Sequence, residues 1–269
     1  MVSSINSSYI SPGIRPAQEG FEQAARNISS GSRINSAADD AAGLAIATRF
    51  SSQVTGFDQA MRNSADGISM AQTASGGLES ISENLLRIRE LALQASNGAL
   101  NDSDRKAINA EATQLRDEIT RVIETTSFNG VPLLSRDEPI GFQVGAGAGE
   151  QVTVSTADLL AKLQESGLAD LDLSSQAGAQ AALTAADDFQ QETLTVASEF
   201  GASINRFDSI IKQLDTSKIN AEESRSRIAD ADIAREASEM VKNKIKLQAS
   251  IAVQGHANQQ AEQVLRLLS

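Results

Sequence analysis

The chain has 269 residues, 41% of them hydrophobic but only 3% aromatic, with no Cys or Trp, one His and a formal net charge of −12. That charge opposes binding to phosphate backbones and to anionic membrane surfaces, and the lack of Cys with a lone His removes thiol chemistry and most metal cages. No apolar run approaches the ~20 residues of a membrane span, and Met1–Ile14 lacks the basic and apolar regions of a cleavable signal.

Residues 1–15 are Ser-rich and contain Pro12-Gly13, which reads as a mobile end. Pro16 favours the first position of a short helix carrying Ala17, Phe21, Ala24, Ala25 and Ile28 and stopping near Gly31. Beyond it, Asn35 and Ser36 precede a new helix start. Ser36 is the expected cap, and Asp39 and Asp40 lie near the positive helix end. The same two carboxylates have the spacing of a metal or acid/base pair, but the helix start accounts for both.

The dominant stretch runs from Ile46 to Ala95. Its apolar positions, from Ile46, Phe50, Val54, Phe57, Met61, Ala65 and Ile68 to Leu78, Ile81, Leu85, Ile88, Ala92 and Ala95, recur at a mean spacing of about 3.5, the period of a helix lying along another helix. One helix of that length would span roughly 75 Å, so other helices must cover its stripe. Asn97-Gly98 stops it, and Asp102 or Ser103 starts a second helix with the stripe Ile108, Ala112, Leu115, Ile119 and Val122, predicting an antiparallel pair. Phe128-Asn129-Gly130-Val131-Pro132 is a turn.

The middle changes period. Ile140, Phe142 and Val144 alternate, as do Val152 and Val154, with Gly145, Gly147 and Gly149 between them, predicting a small β-hairpin. The glycines do not form a phosphate loop, since no Gly-Lys-Ser/Thr follows, and Asp170–Ser174 lacks the sixth-position Gly and twelfth-position Glu of a calcium loop. From Gln176 the helical period returns through Leu183, Ala186, Phe189, Thr193, Ala197, Ile204, Phe207, Ile211 and Leu214. A last stripe takes in Ala234, Ala237, Val241, Ile245, Ala249, Val253, Ala257, Ala261, Val264 and Leu268. A stripe reaching the chain end predicts a surface for another chain, with Ile245, Val253, Val264 and Leu268 as its contacts. His256 has no Gly-x-Ser-x-Gly to serve and reads as a helix-surface or interface residue. Lys242, Lys244 and Lys246 spread around their helix as a solvated cluster. The expected fold is mainly α: an elongated rod of long antiparallel, coiled-coil-like helices with a small β-hairpin in the middle. No cofactor, metal site or enzymatic activity is expected.

Several long stretches carry a resemblance. They are Ser29–Ile46 (SSGSRINSAADDAAGLAI), Arg62–Ala74 (RNSADGISMAQTA), Arg89-Glu90-Leu91-Ala92, Phe128-Asn129-Gly130 and Arg225–Asp232 (RSRIADAD), in that order. With them the chain resembles bacterial flagellin over about 29–145 and 190–269. The resemblance implies a secreted subunit that self-assembles into the extracellular flagellar filament used for swimming. It divides the chain into an N-terminal inner-tube (D0) helix and connecting spoke at 1–45, with Asn35, Ser36, Asp39 and Asp40 at the spoke and helix start. The outer-tube (D1) helices follow at 46–135, a hairpin and short variable segment at 136–175, a returning D1 helix at 176–220 and a C-terminal D0 helix at 221–269.

The implied partners are other copies of the chain, a flagellar export chaperone, filament cap and hook-associated proteins, and a host Toll-like receptor contacted through Arg87, Leu91 and Glu111. Neither nucleic acid nor membrane is among them. Type III flagellar export fits the absence of a cleavable signal. The family's Leu-rich start is missing, since Met1–Arg15 has no Leu. The alternatives are therefore a minor or specialised flagellin, or the hook–filament junction protein.

Overall fold

In the computed structural model, residues 3–268 are described, with side chains for 13–260 and 262–264. The elements in order are α1 (Ser3–Ser30), α2 (Ala41–Ala95), α3 (Asp102–Thr125), β1 (Ser127–Phe128), β2 (Val131–Pro132), β3 (Ile140–Gln143), β4 (Gln151–Val154), α4 (Leu159–Glu165), a 3-10 turn (Leu168–Asp170), α5 (Gln176–Ala229) and α6 (Ile233–Leu268). The fold is mainly α with two small antiparallel hairpins. No helix among the described residues is long and apolar enough to cross a membrane. The chain divides into two compact units, one made of Thr55–Lys218 and the other of Met1–Val54 with Ile219–Ser269.

The Thr55–Lys218 unit has a deep core. Within it, α2 and α5 run antiparallel: Asp58 meets Lys218, Gly67 meets Phe207, Ser82 meets Gln190 and Arg89 meets Asp187. Phe189, Phe200 and Phe207 are fully buried with Met70, Leu78, Ile81, Leu85, Ile88, Ile119 and Ile123. The seam of α2 is displaced from the predicted stripe at its beginning. Ala60, Ser64 and Gly67 face inward, Met61 and Ile68 are half-buried, and Ala65 is exposed. Contact distance is the reason. A Cβ on Gly67 would lie 2.6 Å from Phe207 Cζ, so only the smallest residue admits that ring. Ser64 is satisfied inside, its hydroxyl donating to Ala60 O at 2.8 Å.

Local signals set the element ends. Asn101, one residue before the expected start, caps α3 by accepting from Asp104 N at 2.9 Å. Asn129 and Gly130 take φ of 51° and 78°, the paired left-handed conformations of a two-residue hairpin turn between β1 and β2. The predicted hairpin is β3–β4, with Ile140 opposite Val154 and Phe142 opposite Val152. Phe142 meets Phe207 edge to face at 5.4 Å. The unpredicted α4 has Asp158 as its N-cap, and buries Leu159 and Leu163.

In the second unit, α1 packs along α6. The mobile end expected for 1–15 is not what forms from Ser3 onward: α1 continues through Pro12 and Pro16. Each interior Pro costs about 3 kcal/mol of helix stability, and the helix that bears this cost lies along α6. The positions facing α6, Gly13 at the exposed end and then Ala17, Gly20, Ala24 and Asn27, repeat every three or four residues and are all small or short. A Cβ on Gly20 would stand 2.6 Å from Asn243 Nδ2, and one on Gly13 would stand 3.6 Å from Ser250 Oγ, so the two helices are antiparallel and close. Gly31, with φ 68°, ends α1 as a left-handed cap.

Candidate assembly and recognition surfaces

The segments linking α1 to α2 and α5 to α6 are tied together by main-chain bonds. Arg33 N donates to Ala229 O at 2.7 Å, Ala231 N to Gly31 O at 3.0 Å, and the Ser32 hydroxyl to Ala229 O at 2.8 Å. Asn35 Nδ2 donates to Asn27 Oδ1 at 2.9 Å and to Ser32 O at 3.0 Å. Asp39 Oδ2 accepts from Asn35 N (3.1 Å), Ser36 N (2.8 Å) and Ser36 Oγ (3.0 Å). These bonds, the one from Asn35 N first, hold the Asp39 carboxyl below its ordinary pKa. Ser36 is therefore not the cap of α2. Its hydroxyl is taken up by Asp39, and Asp40, immediately before the helix, accepts from Gly43 N at 2.8 Å in the capping position.

The side of α6 that meets α1 is half-buried and mixed in polarity: Met240, Asn243, Leu247, Ser250, Gln254 and Ala257. The larger side chains of the predicted apolar row are uncovered, whereas its Ala237 and Ala257 are half-buried. Val241 is 52%, Ile245 60%, Val253 60% and Val264 54% exposed. Leu268 is the last residue of α6, and its side chain lies outside the described residues. His256 is exposed on the same helix. Charge is divided unevenly as well. The α1/α6 unit carries 11 acidic and 11 basic residues, whereas Thr55–Lys218 carries 24 acidic and 12 basic, hence the whole net −12. The uncovered apolar row thus sits on a unit with no net self-repulsion.

On the charged unit, Arg87 joins α2 to α3. Its Nε and Nη2 donate to Glu111 Oε1 at 3.0 and 2.7 Å, and Nη1 donates to Glu90 Oε2 at 3.0 Å. The bonds to Glu111 and then Glu90 raise the guanidinium pKa further. All three side chains are about half-exposed or more, so the cluster contributes little to stability. Leu91, which the helical spacing places one turn from Arg87, is instead in the core at 2% exposure, while Leu86 and Leu93 are 57% and 61% exposed. Sequence reasoning also passed over Arg105. It is buried, and its guanidinium donates to Ala95 O (3.1 Å), Leu100 O (2.8 Å) and Asn97 O (2.9 Å), closing the end of α2. A basic residue soon after an Asn-Gly helix stop was the available signal.

A unit that fills its own core, in a chain whose other unit leaves an apolar row without a cover, defines a structural subunit that associates with further chains. The family model described as the bacterial flagellin N-terminal helical region matches residues 3–138, and the model for the bacterial flagellin C-terminal helical region matches 183–268. The chain belongs to the bacterial flagellin family and is a structural subunit of the flagellar filament. It is similar to a flagellin of Halalkalibacterium halodurans, 41% identical over 248 residues that cover 92% of this chain and 91% of the relative. A flagellin of Listeria monocytogenes is 36% identical, covering 95% and 94%. The crystal structure of Bacillus cereus flagellin aligns with a TM-score of 0.52 at 31% identity, over 57% of this chain and 88% of that one.

Proposed function

We propose that the subunit is secreted by the flagellar export route, is held by an export chaperone beforehand, and adds to the filament beneath a cap and beyond hook-associated proteins. The uncovered row Val241, Ile245, Val253 and Val264, on a unit of zero net charge, is the observation that carries the assembly reading. The Asn35–Asp40 segment fixes where α2 departs. The role is structural, without catalysis. Burying an aliphatic side chain contributes ~1.5–3 kcal/mol, so Ile245→Asp with Val253→Asp should abolish seeded polymerisation, seen by electron microscopy, while the thermal transition of the Thr55–Lys218 unit is unchanged. Polymers from the double variant would rule out the row as an interface. A subunit that only caps hooks, and never elongates seeds, would establish the junction-protein alternative; slow elongation into short filaments would mark a minor flagellin.

The second reading concerns the Arg87–Glu111 pair, which is exposed and joins two helices without holding the fold. In the proposed receptor contact, Arg87 exchanges Glu111 for the receptor and Leu91 supports α2 from beneath. An anchoring Arg can lose ≥2 kcal/mol on truncation, about 30-fold in affinity. Arg87→Ala should weaken Toll-like receptor signalling by the monomer, Leu91→Ala and Glu111→Ala should do so less, and sheared filament should be silent. Unchanged signalling by a folded Arg87→Ala monomer overturns the reading.

A further inference from the structure

We infer that Asn97 is a site of spontaneous covalent change, converting to aspartate and isoaspartate in the folded chain. In this reaction the Gly98 amide nitrogen attacks Asn97 Cγ and loses its proton to solvent. The Cγ–Nδ2 bond breaks, and the nitrogen leaves as ammonia with a proton from water. Water then opens the resulting succinimide at either carbonyl, giving aspartate or a backbone lengthened by one methylene. No oxidant or cofactor enters. The requirements are an unhindered nucleophile, a polarised side-chain carbonyl and access to water.

Asn97 has all three. Gly98 has no Cβ to block the attack, and its amide donates no hydrogen bond among the described residues. Ala99 N donates to Asn97 Oδ1 at 3.1 Å, so a fixed donor faces the oxygen on which negative charge develops as the ring closes. Asn97 and Gly98 are both exposed. Two other asparagines separate these features. Asn101 has a comparable donor, Asp104 N at 2.9 Å, but is followed by Asp102 at the start of α3. Asn129 is followed by Gly130 but has no donor to its side-chain oxygen among the described residues, and it is held at φ 51° in the β1–β2 turn. Only Asn97 combines the glycine with the donor.

The position gives the change a consequence. Asn97 O is one of the three carbonyls that Arg105 holds at the end of α2. In the isoaspartate product the chain runs on through Cγ and the former Asn97 carbonyl becomes a free carboxylate, so the acceptor held by the buried guanidinium leaves the main chain and the turn between α2 and α3 is remodelled as the chain ages.

The test is to incubate the full-length chain at neutral pH and physiological temperature, cleave it after arginine, and follow amide-to-acid conversion in the fragments 90–105 and 122–136, with fragmentation to separate Asn97 from Asn101. In the folded chain Asn97 should convert at least about fivefold faster than Asn129, a modest share of the ~100-fold that a fixed donor contributes in a dry site. Asn101 should be slower than both, and Gly98→Ala should suppress conversion at Asn97. In denaturant the two Asn-Gly pairs should converge. Equal rates at Asn97 and Asn129 in the folded chain would overturn the inference, as would an advantage for Asn97 that persists in denaturant.

Discussion

The two units put long helices to opposite ends. In Thr55–Lys218, α2, α3 and α5 close around three buried phenylalanines, and nearly all large apolar side chains find partners within the unit; Leu86, Leu93 and Leu194 are the large ones left exposed among the described residues. In the α1/α6 unit the helices meet through Gly13, Ala17, Gly20 and Ala24, while Val241, Ile245, Ile251, Val253 and Val264 remain outside. The difference lies in what each contact excludes. A seam of small residues brings two backbones close but buries little apolar area, so the driving force stored in the larger side chains is left for a second chain. Net charge follows the same division: the unit that is complete alone carries −12, and the unit that needs a partner carries none.

The largest expected effect tests whether the first unit is self-sufficient. Phe207 is fully buried, rests on Gly67 and meets Phe142 edge to face. Phe207→Ala should cost about 3–5 kcal/mol, measured by chemical denaturation with a probe in Thr55–Lys218. A loss below about 1 kcal/mol would mean that the ring's site collapses around the gap, and that this core is less committed than its burial indicates.

Much of this contrast was legible in the sequence, and the part that was not has one physical cause. The C-terminal end of α2, the Asn-Gly turn at 129–130, the β3–β4 pairing and the return of helix at Gln176 follow from local chemistry, and local chemistry is what a single sequence displays. The faces of the helices do not. Hydrophobicity put the contact of α2 on Met61, Ala65 and Ile68, whereas the structure uses Ala60, Ser64 and Gly67. In α6 it put the row on Val241, Ile245 and Val253, whereas α1 meets Met240, Asn243, Leu247 and Ser250. In each case the seam is displaced from the apolar row, in α2 by one residue, because closeness selects for small side chains and a hydropathy pattern cannot distinguish a contact within the chain from one between chains. The α6 row retains its meaning as an apolar surface. The α4 helix was missed although Asp158 and Gly167 bracket it, since seven residues are too few for a helical period to declare itself. At the proposed recognition surface, the resemblance supplied Arg87 and Glu111, and the structure joins them through a hydrogen-bonded pair. It also supplied Leu91, and spacing alone could not reveal that this side chain is inside.

A smaller effect tests how the complete unit ends its longest helix. Arg105 satisfies three carbonyls from a buried position, and truncation leaves them without donors where water enters poorly. Arg105→Ala should destabilise Thr55–Lys218 by about 2–3 kcal/mol. Arg105→Lys should recover only part, because an ammonium lacks the planar fork that reaches three acceptors. Full recovery by Lys would show that charge, and not geometry, closes the helix. Denaturation of both variants beside the parent chain separates the two.

The smallest effect concerns the α1/α6 unit, through the pH dependence of its linking segment. The Asp39 carboxylate accepts hydrogen bonds from Asn35 N, Ser36 N and Ser36 Oγ, and these hold its folded pKa below the ordinary 3.8. A depressed carboxyl pKa contributes stability that is fully present above the unfolded value and is lost as pH falls through the folded one. The stabilisation of residues 35–40 should therefore be constant at neutral pH and decline only below about pH 4. Amide hydrogen exchange, corrected for its intrinsic pH dependence, should show faster opening of the Asn35 and Ser36 amides in that acid window, with no parallel change in the core of α2 between residues 70 and 95. Asp39→Asn should open both amides already at neutral pH, because a neutral amide oxygen is a weaker acceptor than a carboxylate, and should remove the acid step. The exposed setting keeps the effect small. If the acid step survives unchanged in Asp39→Asn, another group governs this segment, and the helix-start bonds of Asp39 do not.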